Sequence, residues 1–531
     1  MNFVKKKFFL IFLFFYFFIG SSNSLKTGIS FDEAYEELNW NFQVNVIKEI
    51  SKTITHNKNF DRNKFNQEVK RFIGYGIGFQ VISQPIQFIL KDLIVKNKDL
   101  DDLGAKLIAK HFVVFLFFFI SGIFFYLILR KLIDNEFSCV LGTILYLTYP
   151  YLFGQAMFSP KDIPFMSIWL ICTYLSFQLF EQLVKKKNLS LKLIIFFSIL
   201  SSYLLSIRIA GILIFFQYAF SLLIYISVYK INFFIFLKDY FKDLLFFIFF
   251  FLLFVFLFYP IFWINPLLLI ETFKINISHF NNVGTNTLGE IMYSTNLPAT
   301  YLIIWFAVKI PLLILIGFFI IPFTEKKILK DKTKSIFFGS LILTVILIPL
   351  ILIIKKVHLY DEIRQVMFLI PLLFIISLVS LYSLSNRFFF IFVLSTIIFF
   401  VVESVKINPY QYVWFNLPSR YIDITKNFEL EYQGISGREI SQQLKKLDTQ
   451  PLCILVNPIH SVKPFLNNSK FNCFDIWQKI HTNYNRPFLA VQNVRNLKTS
   501  TPYKCFTKYE SGFNLLFYEK KIITGKLLEC K

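Results

Sequence analysis

Residues 107–129 read LIAKHFVVFLFFFISGIFFYLIL. A helix of that length rises about 1.5 Å per residue, so it covers roughly 35 Å, enough to cross a hydrocarbon core of about 30 Å. No proline interrupts it, and a run this long and this apolar reads as a membrane span. Similar runs recur at 8–22, 137–155, 164–183, 191–207, 209–228, 244–264, 301–322, 336–354, 366–383 and 388–402. The expected fold is therefore a polytopic α-helical membrane protein of about 11 transmembrane helices. Its 71 phenylalanines read as filler for these spans, not as an aromatic recognition surface.

The remaining sequence divides around these runs. Residues 1–22 form a first transmembrane helix, read as retained and not as a cleaved signal peptide because the apolar run is long. Residues 23–106 form a long, mostly polar first outer loop, in which FQVISQPIQFILKDLIV (79–95) has the pattern of an amphipathic helix lying in the membrane interface. Residues 107–404 make the helical core. Beyond 405 hydropathy falls: PLCILVNPI (451–459) and RPFLAVQNV (486–494) read as buried strands and REISQQLKKL (438–447) as a helix among them. Residues 405–531 are thus expected to be a small extracytoplasmic α/β domain. Cys453, Cys473, Cys505 and Cys530 all fall in it, without a CxxC pair. That spacing argues against a zinc ribbon and leaves two disulfides or four unpaired thiols.

The net charge of +23 does not indicate nucleic acid as a partner, because the basic residues cluster between apolar runs. With the N-terminus in the cytoplasm, the inner loops carry KKK (5–7), RK (130–131), KKK (185–187), Lys230, Lys238, Lys242 and KKILKDKTK (326–334). The outer loops hold fewer: Lys161, Arg208, Lys274, Lys355, Lys356 and Arg364. This bias sets the orientation. It puts the acidic stretch GISFDEAYEELNWNF (28–42), the loops near 160, 280 and 360, and the C-terminal domain on one outer face.

Several charges on that face sit against the ends of apolar runs, where a charge is costly unless solvated or paired. They are Asp32 and Glu33, Lys161 and Asp162 in FSPKDIPF, Arg208 in SIRIAG, His279 in SHFNNVG, and Asp361, Glu362 and Arg364 in LYDEIRQVMFLIP. Glu36 and Glu37 are expected on a solvated helix face. Acids and cations converging at the outer membrane surface suit chemistry on a phosphate-bearing, lipid-linked substrate. A Ser-His-Asp hydrolase finds no support, with no GxSxG and no strand–helix frame around a serine. GYGIG (74–78) has no strand–turn–helix context for a phosphate loop.

These residues also resemble a family. FDEAY is similar to the Asp-Glu motif in the first outer loop of C-type glycosyltransferases, in particular the protein-mannosyltransferase and lipid A aminoarabinose-transferase group. SPKDIPFM resembles a second-loop motif of bacterial members, and LGEIMYSTNLPATYLIIWFAVKIP their lead-in to a later helix. LYDEIRQVMFLIP resembles YDxxRHxLFxxP with Gln365 in place of His, and NPYQYVWFN resembles HPYxYVYFN with Asn408 in place of His. The resemblance runs in patches from residue 30 to about 440. It implies a sugar donor on a polyprenyl phosphate and an acceptor hydroxyl on a protein, lipid or glycan. Asp32 would be the base that deprotonates the acceptor, in one inverting displacement. Glu33 would orient the acceptor or help hold a divalent metal ion. Lys161, Arg208 and Arg364 would bind the donor phosphate. Asp162, His279 and Glu362 are candidates for metal or acceptor, although no cofactor is required and no ligand set has diagnostic spacing. The alternative is a transporter or flippase of a lipid-linked glycan. Against it stand the lack of an internal repeat and the clustering of charges at one end of the helices.

Overall fold

The computed structural model describes residues 3–56, 69, 71–95, 100–185, 188–272, 282–328, 330–448, 452–477, 487–493 and 503–531. His279 lies outside the described residues.

Every apolar run becomes helix. Among the described residues eight helices are long and apolar enough to cross a membrane, or nine if the bent pair Thr300–Lys309 and Leu312–Phe319 counts as one span. The pair turns by 119° at Ile310–Pro311, where proline has no N–H to continue the helix. The two further runs expected to span are shorter helices, Glu136–Thr148 and Leu191–Ile207. The first of them stops because Pro150 disfavours helical geometry at Tyr149, whose backbone is extended (φ −60°, ψ 115°).

The helix Asp102–Leu132 is the hub. It contacts Phe3–Lys26, Gly78–Val95, Glu136–Thr148 and Asp162–Val184. Within their most apolar stretches Asp162–Val184 and Arg364–Leu384 are 83% and 89% buried, whereas Phe241–Phe258 is 6% buried. The first two are therefore interior spans, and the last is peripheral, with Phe241, Phe246, Phe249 and Phe256 exposed. Helix Gly78–Val95 packs on the hub and exposes Phe88, Ile89 and Leu93.

The chain after the last span forms a five-stranded mixed sheet. Its strands are β3 (Cys453–Val456), β4 (Phe474–Ile476), β5 (Phe488–Gln492), β6 (Cys505–Phe513) and β7 (Ile522–Cys530), in the order β4-β3-β5-β7-β6. The β3–β4 and β3–β5 pairs are parallel, β5–β7 and β6–β7 antiparallel. Helix Gly437–Lys446 precedes all five strands and buries Ile440 and Leu444 on Ile454, Val456, Leu489 and Val491. The four tail cysteines are paired as Cys453–Cys473 and Cys505–Cys530, across neighbouring strands. A separate hairpin, β1 (Gly284–Thr287) and β2 (Glu290–Tyr293), turns through Leu288 (φ 54°) and Gly289 (φ 86°). Two successive positive φ angles give the twist a two-residue hairpin needs.

Candidate active site

The site begins where the first helix ends. Residues 27–32 are irregular and lead into helix Glu33–His56. The loop is fixed from the tail. Arg438 donates to the carbonyls of Leu25 (2.8 Å) and Thr27 (3.1 Å), the His460 ring meets the carbonyl of Ser30 (3.0 Å), and Phe31 N–H donates to Gln433 O (2.7 Å). Gly28 passes so near the tail that a Cβ there would lie 2.0 Å from Ile435 O. This close approach is a backbone requirement that only glycine meets.

So held, Asp32 places its carboxylate on Arg364, which donates from one terminal nitrogen at 2.8 Å. Arg364 is aimed by a strained turn: Asp361 (φ 55°) and Glu362 (φ 67°) are both left-handed without being glycine. Such residues cost about 1–3 kcal/mol each and persist only when the surroundings hold them. Here Thr285 Oγ1 of β1 accepts from Asp361 N–H (3.1 Å) and the Tyr301 hydroxyl accepts from Glu362 N–H (3.1 Å). The hairpin is itself tied down, with Asn286 N–H donating to Glu429 (3.0 Å) and Gly289 N–H to Asn427 O (3.0 Å).

Two more ion pairs flank this one. Lys161 meets Glu36 at 2.8 Å and lies over the rings of Tyr35 and Tyr75. Arg208 meets Asp162 at 2.6 Å, and Ser159 donates to the same carboxylate at 3.1 Å. A narrow cleft opens beside them, lined by Glu36, Tyr75, Gln80, Pro160, Lys161 and Ser206. The Asp32 side chain is 27% exposed against 4% for Arg364. Burial alone would raise the Asp32 carboxyl, but Arg364, Lys161 and Arg208 together outweigh it and hold it below the ordinary carboxylate value. Burial would likewise lower the Lys161 ammonium, yet Glu36, Tyr75 and Asp32 keep it above its usual range.

The structure thus gathers Asp32, Asp162, Lys161, Arg208 and Arg364 within electrostatic reach of one another. Two expected members stand apart. Glu33 is fully buried and turned inward: its carboxylate accepts from Ser30 N–H (2.6 Å) and meets His111 at 2.9 Å. Its carboxylate is taken up by Ser30 and His111 and does not line the cleft beside Lys161. Glu362 is also buried, paired with Lys309 at 2.8 Å, and burial pushes its carboxyl up to about 7. Asp162 pairs with Arg208 and not with its sequence neighbour Lys161. Among the described residues no group of three or more His, Cys, Asp or Glu side chains is placed to hold a metal ion.

Glu36 and Glu37 correct a further expectation. They are 5% and 8% exposed, not solvated. Side chains of helix Gly78–Val95 reach both acids: Gln80 donates to Glu36 (3.2 Å), while Gln84 and Gln87 donate to Glu37 (3.1 and 3.0 Å). Lys110 of the hub completes the set at 2.5 Å from Glu37. Sequence reasoning missed Lys110, His111 and Lys309 as functional-face residues. The signal was present: each is an ionisable residue inside an apolar run, which demands a buried partner.

No protein-family model matches the sequence, and no curated protein does. Solved structures of ArnT, a lipid A aminoarabinose transferase of the group that the sequence motifs resemble, are similar in the course of the chain. The apo form from Cupriavidus metallidurans is 10% identical over 83% of this chain and 87% of that one, with a TM-score of 0.42. The same protein bound to undecaprenyl phosphate is similar at 10% identity over the same shares, with a TM-score of 0.41.

Proposed function

We propose that the protein is a membrane glycosyltransferase that moves a sugar from a polyprenyl-phosphate donor to an acceptor hydroxyl on a protein, lipid or glycan. In this reading Asp32 is the general base of a single inverting displacement, at the extracytoplasmic face of a bacterial inner membrane. The observation that carries it is the setting of Asp32: a partly exposed, ionised carboxylate with three cations around it, at the mouth of a bundle of spans. An acceptor hydroxyl needs an ionised base within reach. The departing phosphate needs fixed positive charge, and Arg364, Lys161 and Arg208 supply it in a site shielded from bulk water. Arg364 gives Asp32 one of its five N–H donors, and a guanidinium suits two-point binding of phosphate oxygens.

The finer topology belongs to the same proposal. Counting the bent pair and the shorter helices of 13 and 17 residues gives eleven crossings, with the N-terminus cytoplasmic. The segments are 1–22, 23–106, 107–404 and 405–531. Two disulfides in the tail support its extracytoplasmic placement, since such bonds persist in oxidising compartments.

The test is mass spectrometry of polyprenyl-phosphate sugars and envelope glycans in a deletion strain carrying either the wild-type chain or Asp32→Asn. We expect the donor to accumulate and one decorated product to vanish in the deletion. The wild-type chain restores the product and D32N does not, at equal membrane levels. Restoration by D32N sinks the role of Asp32. Transbilayer movement of a lipid-linked sugar by the purified protein in liposomes, with no acceptor present, supports a flippase instead.

A further inference from the structure

We infer that the tip of the β6–β7 hairpin is a membrane-inserting anchor, with Phe517 and Tyr421 seated in the lipid interface beside the last span. The inference depends on helix Asn386–Lys406 crossing the bilayer and not on the reaction. That helix has 21 residues, about 31 Å at helical rise, so its last turn lies at the edge of the hydrocarbon core.

Glu403, in that last turn, is fully buried and gathers the downstream chain around it. It takes two charge-assisted bonds from Arg420 (2.8 and 2.7 Å), one from Trp414 Nε1 (2.9 Å) and one from the backbone N–H of Leu516 (2.9 Å). Arg420 also donates to Leu516 O at 2.5 Å. A second tie runs from Lys520 to Asp423 at 2.5 Å. The hairpin tip and the segment 417–423 are thereby pinned to the end of the span, at interface depth.

Both present apolar rings there. Phe517 is 81% exposed and Tyr421 94% exposed. Phe517 is also held at φ 57°, a left-handed conformation unusual for a bulky residue, which turns its ring out of the hairpin. Ile398, Val401, Val402 and Val405 of the span are exposed as well. An aromatic ring at this depth with no protein over it faces headgroups and acyl chains, where aromatic residues concentrate.

The test puts the full-length chain with Phe517→Trp into phosphatidylcholine vesicles in which the lipid is either unlabelled or brominated on its acyl chains near the headgroup. We expect the fluorescence added by the new tryptophan to be blue-shifted and strongly quenched by the brominated lipid. Phe506→Trp serves as reference, since Phe506 lies at the far end of β6, roughly 23 Å along the strand from its end at Phe513, and its signal should stay unquenched. Should F517W fail to reconstitute, Tyr421→Trp gives the same reading from the other ring. An added signal at position 517, or at 421 in that case, that is no more quenched than the one at 506 overturns the inference.

Discussion

Asp32 and Arg364 stand 332 positions apart in sequence and 2.8 Å apart in space. Their pairing sets a pH dependence. The base form of Asp32 exists above its pKa, and the cations hold that pKa below the ordinary carboxylate value despite burial. With Asp32 as the proposed base, transfer is expected to be flat through neutral pH and to fall only under acid conditions below the usual carboxylate range. Arg364→Gln removes the largest cationic contribution and leaves the burial that opposes it. The acid limb should then move upward by about 1–3 pH units. Initial rates against pH for both proteins in detergent check this, and an unmoved limb removes Arg364 from the base's environment. Which residues would gather was legible from sidedness, because acids and cations crowd the same ends of the apolar runs. Which would pair was not. Asp162 is the sequence neighbour of Lys161, yet it pairs with Arg208 because helix Asp162–Val184 packs along Leu191–Ile207 and brings the ends of both together.

At the scale of elements, helix Glu33–His56 decides how the site is built. Glu33, Glu36 and Glu37 recur at spacings of three and four, so one face carries all three. The face is buried, and each acid has found its own partner: His111, Lys161 and Lys110. Two of those partners lie in the hub helix, so the helix is clamped to the span by these contacts. Lys110 is fully buried. Replacing it by Met leaves the Glu37 carboxylate buried with only glutamine donors, and breaking a buried pair on one side costs about 3–5 kcal/mol. Lys110→Met is expected to lower the thermal midpoint in detergent sharply, and Lys110→Met with Glu37→Gln to recover most of it. A double variant no better than the single one rejects the clamp. From sequence the acidic face reads as wet, because the helix that covers it reads as lying in the membrane interface and not on these acids. The cover is Gly78–Val95, itself an expected helix, whose three glutamines face the acids.

Across the whole molecule, the tail is the part that sequence reasoning tied least to the site and the structure ties most. Strands at 453–456 and 488–492 were legible from short apolar runs bounded by proline and asparagine. The contacts of Arg438, His460 and Gln433 with residues 25–31 were not, since nothing local marks a backbone carbonyl as a partner. The tail therefore shares the compartment of Asp32, and its cysteines report which one that is. Cys473 is exposed while bonded to Cys453. Cys453→Ser frees its thiol at the cost of one disulfide, about 2–4 kcal/mol of stability. In intact spheroplasts a maleimide that does not cross membranes should label Cys473 in this variant without lysis, and label the wild type only after reduction. Labelling that waits for lysis puts the tail, and with it Asp32, on the cytoplasmic side, where a donor presented at the outer surface never meets the base.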